Sequence, residues 1–150
     1  MPTSIELSPL MMREIIMDHY SSPRHKGIPK NKEEYLTVHS SSVNCIDDID
    51  VFLKEENGKI VDASWEGTAC AISTASTDIV CDLLLDKEVK DALYLIEQYN
   101  NMIHEKDYDG DVLEEALAFQ NTHKQAARIH CATIGWDAFK QLIEEEKAHE

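Results

Sequence analysis

The chain has 150 residues, 43% of them hydrophobic, which fits a single domain, residues 1–150, with a buried core. Its 29 acidic and 14 basic residues give a formal net charge of -15, which repels phosphate backbones and anionic lipids, so we expect neither nucleic acid nor membrane as partners. No apolar run approaches the roughly 18 residues of a membrane span, and the N-terminus lacks the apolar centre of a signal peptide. We therefore expect a soluble, cytoplasmic protein that is a monomer or weak oligomer.

The first half of the chain predicts one helix and three strands. Apolar residues at helical spacing predict a helix from Ser8 or Pro9 to Tyr20. Alternating apolar and polar residues at 49–53 and 61–65 flank Asn57-Gly58, a strong hairpin turn, and residues 35–40 predict a third strand.

The second half reads as helices. Helical periodicity predicts segments at about residues 69–85, 89–104, 112–119 and 123–147. Strands followed by a run of helices predict an α+β domain, in which helices pack on one face of a small three-stranded antiparallel sheet.

Three of the four cysteines fall in predicted helices. Cys70 begins a helix, where free N–H groups and the helix dipole favour a thiolate, although a small buried residue is the alternative. Cys131 lies one turn after Arg128, whose guanidinium would also favour a thiolate, whereas the adjacent His130 projects away and fits a surface or packing role. Cys81 is too far along its helix to share a metal with Cys70 and is predicted to be a core thiol.

The remaining cysteine lies in a predicted turn between strands. Cys45 and Asp47 are two residues apart, and thiolate and carboxylate are both acceptable zinc ligands. The alternative is an acidic, solvated turn, because Asp48 and Asp50 follow directly.

The segments IIMDHYSSPRHKG, NGKIVDASWEGTACAIS and ARIHCATIGW occur in this order along the chain. In sequence and in order they resemble segments of the IscU/SufU family of iron-sulfur cluster scaffolds, and of its SufU branch in particular. The long interval between Cys70 and Cys131 favours the SufU branch, which carries an extra helical insertion there, in this chain around residues 108–119. His130 instead matches the His-Cys pair of the IscU branch.

The resemblance implies a SufE/IscU-like fold and a protein without independent catalytic activity. It implies zinc in the SufU branch, or a transient [2Fe-2S] cluster on the cysteines in the IscU branch. It also implies a SufS-like cysteine desulfurase and downstream iron-sulfur assembly proteins as partners, with Cys45 as persulfide acceptor and Arg128 as support for the third cysteine. The implied metal ligands are Cys45, Asp47, Cys70 and Cys131.

Two positions depart from the family pattern, since Ile46 and Ala69 stand where glycine is usual. They motivate an alternative, a degenerate paralogue that binds a desulfurase without metal. A thiol hydrolase that uses His39 or His130 as base is a weaker hypothesis, because no catalytic cysteine motif surrounds either.

Overall fold

The computed structural model describes residues 7–42 and 46–148, which form an antiparallel sheet and helices. Three short 3-10 helices precede the last α-helix at Gly110–Val112, Glu114–Phe119 and Thr122–Lys124, and another, Lys32–Glu34, precedes the sheet. The main elements are α1 (Pro9–Ser21), β1 (Leu36–Ser41), β2 (Asp48–Glu56), β3 (Lys59–Thr68), α2 (Ala71–Leu84), α3 (Val89–Ile103) and α4 (Ala126–Ala148).

The sheet is an antiparallel meander in the order β1-β2-β3, as the sequence predicts. Asn57 and Gly58 have φ of 54° and 80°, the left-handed conformation that a tight two-residue hairpin requires. The register places Val51 opposite both Val38 and Trp65, so the apolar alternation of the three strands meets on one face.

That face forms one side of the core. Its residues Ile49, Val51, Leu53, Ala63 and Trp65 are almost completely buried, and α2 and α4 pack against the strands. The opposite face is largely polar, although Phe52 is buried on it. Helices on one face of a three-stranded sheet confirm the predicted α+β architecture.

Helix α2 is the central helix of the domain. It packs against β3, α1 and α4 and is buried along most of its length. Because α2 is central, neighbouring elements can satisfy an acid, Asp78, that is fully buried in this helix. Four groups from α1, from the loop after α1 and from β3 donate hydrogen bonds to the Asp78 carboxylate. They are His19 Nδ1 at 2.7 Å, the Arg24 and His25 N–H groups at 3.0 and 2.8 Å, and Trp65 Nε1 at 3.3 Å.

Two helix predictions are wrong in detail. The predicted helix at residues 112–119 is instead a pair of 3-10 helices, because Glu114 has φ of 46° and interrupts any continuous α-helix. The last helix begins at Ala126, since His123 lies in the separate 3-10 helix Thr122–Lys124. None of the helices in the described parts of the chain is long and apolar enough to cross a membrane.

Candidate metal centre

Three of the four sequence-predicted ligands meet at one end of the domain. One ligand atom from each of Asp47, Cys70 and Cys131 lies within 4.8 Å of the others, the only such group of acidic, cysteine and histidine side chains within residues 7–42 and 46–145. Asp47 and Cys131 are buried, and Cys70 is half-buried. Cys45, the fourth predicted ligand, lies outside the described residues.

Asp47 immediately precedes β2 and is held against the start of α2. Its Oδ1 accepts the Cys70 N–H at 2.9 Å, and its Oδ2 accepts a short hydrogen bond from the Ser73 hydroxyl. The carboxylate therefore satisfies N–H and O–H groups at a helix N-terminus, a favourable place for an anion. This network explains how Asp47 can be only 1% exposed.

Cys70 is the N-cap residue of α2, as its sequence position suggests. It has extended backbone dihedrals, and its Sγ accepts a hydrogen bond from the Ser73 N–H at 3.4 Å. The Cys70 sulfur is thus directed back over the first turn of α2, beside Asp47.

Cys131 is positioned by the packing of α4 on α2. The carbonyl of the next residue, Ala132, accepts hydrogen bonds from the Ser76 hydroxyl at 2.6 Å and the Tyr99 hydroxyl at 2.7 Å. Tyr99 also stacks on Trp136, with ring centroids 3.7 Å apart, which joins α3 to α4. Burial, followed by the neighbouring Cys70 and Asp47, raises the pKa of the Cys131 thiol to about 12.

The fold accommodates Ile46 and Ala69, the two residues that depart from the family pattern. Ile46 is 62% exposed, so most of its side chain faces solvent. Ala69 does not have a positive φ, so alanine is unstrained where the family has glycine. A glycine is required two residues earlier, at Gly67, which has φ of 135° and where a Cβ would stand 2.9 Å from the Ile49 Cα on β2.

The other sequence-predicted candidates have different surroundings. Arg128 and His130 are exposed near the start of α4. Cys81 is completely buried, and burial raises the pKa of its thiol, as expected of a core cysteine. His39 pairs with Asp48 and Asp50 on the surface, at 2.7 and 2.8 Å.

Sequence reasoning missed Ser73. Its hydroxyl lies 3.4 Å from the Cys70 sulfur as well as bonding to Asp47, and the residue is 0% exposed. The available signal was its position: a residue three after a helix N-cap lies over that cap and can share hydrogen bonds with it.

The donor set fits zinc. Two cysteine sulfurs and a carboxylate oxygen are accepted zinc ligands, and ligand atoms in a tetrahedral site lie about 3.5–3.8 Å apart, given Zn–S near 2.3 Å and Zn–O near 2.0–2.2 Å. A spread of at most 4.8 Å needs only a small contraction to reach that geometry. The three residues leave the fourth position of a tetrahedral site for a further ligand.

Comparisons with known proteins identify the family of the chain. Residues 11–149 match the family of the NifU-like N terminal domain. The chain is 32% identical over 138 residues to the zinc-dependent sulfurtransferase SufU of Bacillus subtilis, covering 91% of this chain and 92% of that protein. It is 26% identical over 134 residues to the iron-sulfur cluster assembly scaffold protein IscU of Thermotoga maritima, covering 89% and 93%.

Solved structures show the same architecture. A putative iron-sulfur cluster assembly scaffold protein for the SUF system from Fervidobacterium islandicum superposes with a TM-score of 0.77 at 27% identity, covering 85% of this chain and 92% of that one. The N-terminal part of a NifU-like protein from Brucella abortus has the same fold, with a TM-score of 0.75, 19% identity and coverage of 92% and 99%. The chain belongs to the NifU-like N-terminal domain family.

Proposed function

We propose that this protein is an iron-sulfur cluster assembly protein of the SufU type, which binds zinc and accepts persulfide sulfur from a cysteine desulfurase. The observation that carries the proposal is the convergence of Asp47, Cys70 and Cys131 to within 4.8 Å. The 32% identity to a zinc-dependent sulfurtransferase supports zinc over a resident cluster. The similarity to IscU scaffolds supports a place in iron-sulfur assembly.

Each site residue has a distinct part in this function. Cys70 and Cys131 supply sulfur ligands, Asp47 supplies oxygen, and Cys45 completes the set and accepts the sulfur. Bound zinc would keep the cysteine sulfurs deprotonated near neutral pH without redox chemistry of its own. This matters for Cys131, because burial and the neighbouring Cys70 and Asp47 raise the pKa of its thiol to about 12.

The transfer step is a thiol–disulfide type of exchange. The Cys45 thiolate attacks the outer sulfur of the desulfurase persulfide, so that a new S–S bond forms on Cys45. The bond between that sulfur and the desulfurase cysteine breaks, and the desulfurase cysteine leaves as a thiolate. No net oxidation occurs, so the step needs no additional oxidant or reductant.

The test combines metal analysis with desulfurase turnover. Protein purified without chelator should hold about one zinc per chain, and it should increase the cysteine-desulfurising turnover of a SufS-like desulfurase. Cys45→Ser should remove the increase in turnover. Cys70→Ser should remove the zinc, because it eliminates a ligand from the group of three.

Two outcomes would reject the proposal in different ways. Binding to a desulfurase without zinc and without increased turnover would favour the metal-free interaction module suggested by Ile46 and Ala69. An iron-sulfur chromophore in place of zinc would assign the chain a scaffold role of the IscU type. Cys81→Ala is the matched control, since this buried cysteine lies outside the ligand group.

A further inference from the structure

We propose that Ser73 is the positioning residue of the metal centre, which sets its zinc affinity through the Asp47 carboxylate without being a ligand. This inference rests on the proposed zinc site. Ser73 is 0% exposed and lies in the first turn of α2, directly beside two of the three ligand residues.

The hydrogen bonds of Ser73 reach both of these ligands. Its hydroxyl donates to Asp47 Oδ2, and its backbone N–H donates to the Cys70 sulfur at 3.4 Å. The Ser73 hydroxyl oxygen also lies 3.4 Å from that sulfur. One buried side chain therefore fixes the relative placement of an oxygen ligand and a sulfur ligand that come from different parts of the chain.

The Asp47 carboxylate depends on this hydroxyl for its orientation. Its Oδ1 is held by the Cys70 N–H at 2.9 Å and its Oδ2 by the Ser73 hydroxyl, so a bond at each oxygen orients the plane of the carboxylate. Each carboxylate oxygen can accept more than one bond, so Asp47 can keep the Ser73 bond while it ligates a metal. A preset carboxylate loses less conformational freedom when the metal binds.

The expected size of the effect follows from the general behaviour of metal sites. Hydrogen bonds to ligating carboxylates orient them, and loss of such a partner typically weakens metal affinity by about 10- to 100-fold. Ser73→Ala should therefore weaken zinc binding by a factor in this range. Its effect on the urea midpoint of the metal-free protein should be no larger than that of removing another buried hydroxyl.

The experiment measures zinc dissociation constants by competition with a chromophoric chelator, using the full chain with all four cysteines reduced. The matched control is Thr74→Val, which removes the neighbouring hydroxyl on the same helical turn; that hydroxyl donates to the Ala69 carbonyl at 3.2 Å rather than to a ligand side chain. Ser73→Thr retains a hydroxyl and should preserve affinity better than Ser73→Ala. Cobalt absorption spectra report whether the ligand geometry changes.

A double-mutant cycle with Asp47→Ala separates positioning from general destabilisation. If Ser73 acts through Asp47, Ser73→Ala should have little further effect on zinc affinity once Asp47 is alanine. Equal fold-losses in both backgrounds, or unchanged affinity in Ser73→Ala, would overturn the role of Ser73 while leaving the zinc site intact. Failure of the unmodified protein to bind zinc would instead overturn the proposed function, and this inference with it. If Ser73→Ala does not fold, the zinc affinity of Ser73→Thr is compared with that of Thr74→Val instead. The inference is overturned if these two variants bind zinc equally well and both bind it more weakly than the unmodified protein.

Discussion

His19 is fully buried between two carboxylates, Asp78 at 2.7 Å from its Nδ1 and Glu115 at 3.2 Å from its Nε2. Burial acts to lower the pKa of His19, but the hydrogen bonds and charges of both acids outweigh it, so the pKa is raised. Asp78 has the opposite balance: burial acts to raise its pKa, and the four hydrogen bonds that it accepts lower it. Each shift therefore favours the charged form of its own group, the imidazolium of His19 and the carboxylate of Asp78.

The two shifts stabilise the fold over different pH ranges. Since the pKa of folded His19 lies above the ordinary 6.5, its contribution is complete below about pH 6.5 and is lost as pH rises through the raised value. Since the pKa of folded Asp78 lies below the ordinary 3.8, its contribution is present above that pH and is lost as pH falls through the lowered value.

We therefore predict that His19→Gln is most destabilising near pH 6 and less so at pH 9. The variant keeps a hydrogen-bonding side chain but cannot carry the proton. Urea unfolding across this range measures the difference from the unmodified protein. His25→Gln is the control, because His25 pairs with the half-exposed Asp82 and should show a weaker dependence; a constant difference for His19→Gln would contradict the account.

At the scale of elements, α2 and α4 pack closely where Gly135 meets Thr77. A Cβ there would fall 2.8 Å from Cβ and 2.9 Å from Cγ2 of Thr77, and closer still to its Oγ1. This crossing lies one helical turn after Cys131, so it sets how near that cysteine comes to Cys70 on α2.

Gly135→Ala should destabilise the protein by about 1–3 kcal/mol, the usual range for overpacking a core. The sign of this change in the free energy of unfolding is informative, because a glycine to alanine substitution in an unconstrained helix interior stabilises by about 1 kcal/mol. Chemical denaturation gives the value. Thr77→Ala in the same chain should recover part of the loss, because it removes Oγ1 and Cγ2; stabilisation by Gly135→Ala alone would show that the helices do not meet this closely.

Some elements of the fold could be predicted from the sequence and others could not. Strand alternation and the Asn57-Gly58 turn were sufficient for the sheet, because both are local signals. The interruption at Glu114 was not predictable, since the following residues Ala116 to Phe119 are apolar and are buried by tertiary packing in a 3-10 conformation. The spacing of apolar residues alone does not distinguish such a buried 3-10 segment from an α-helix.

For the molecule as a whole, the resemblance to a known family predicted the ligand set, and spacing alone did not. Asp47, Cys70 and Cys131 come from the start of β2 and from two helices, and only the fold brings them together. Ser73 was missed because its role depends on the approach of Asp47 from another part of the chain.

Zinc should stabilise the whole domain, because its ligands come from three separate elements. Zinc at about 100 times its dissociation constant should raise the free energy of unfolding by about 2.7 kcal/mol if it binds only the folded chain. Thermal unfolding with and without zinc measures this. Cys81→Ala should retain the increase and Cys70→Ser should lose it; an equal increase in both variants would place the zinc elsewhere.

The most direct test of the central claim is zinc K-edge X-ray absorption of the purified protein. The proposed ligand set of Cys45, Asp47, Cys70 and Cys131 predicts about three sulfur atoms near 2.3 Å and one oxygen near 2.0–2.2 Å around each zinc. Asp47→Ala should alter the oxygen contribution and leave the sulfur shell intact. A first shell of nitrogen and oxygen alone, or a protein that retains no zinc, would contradict the account.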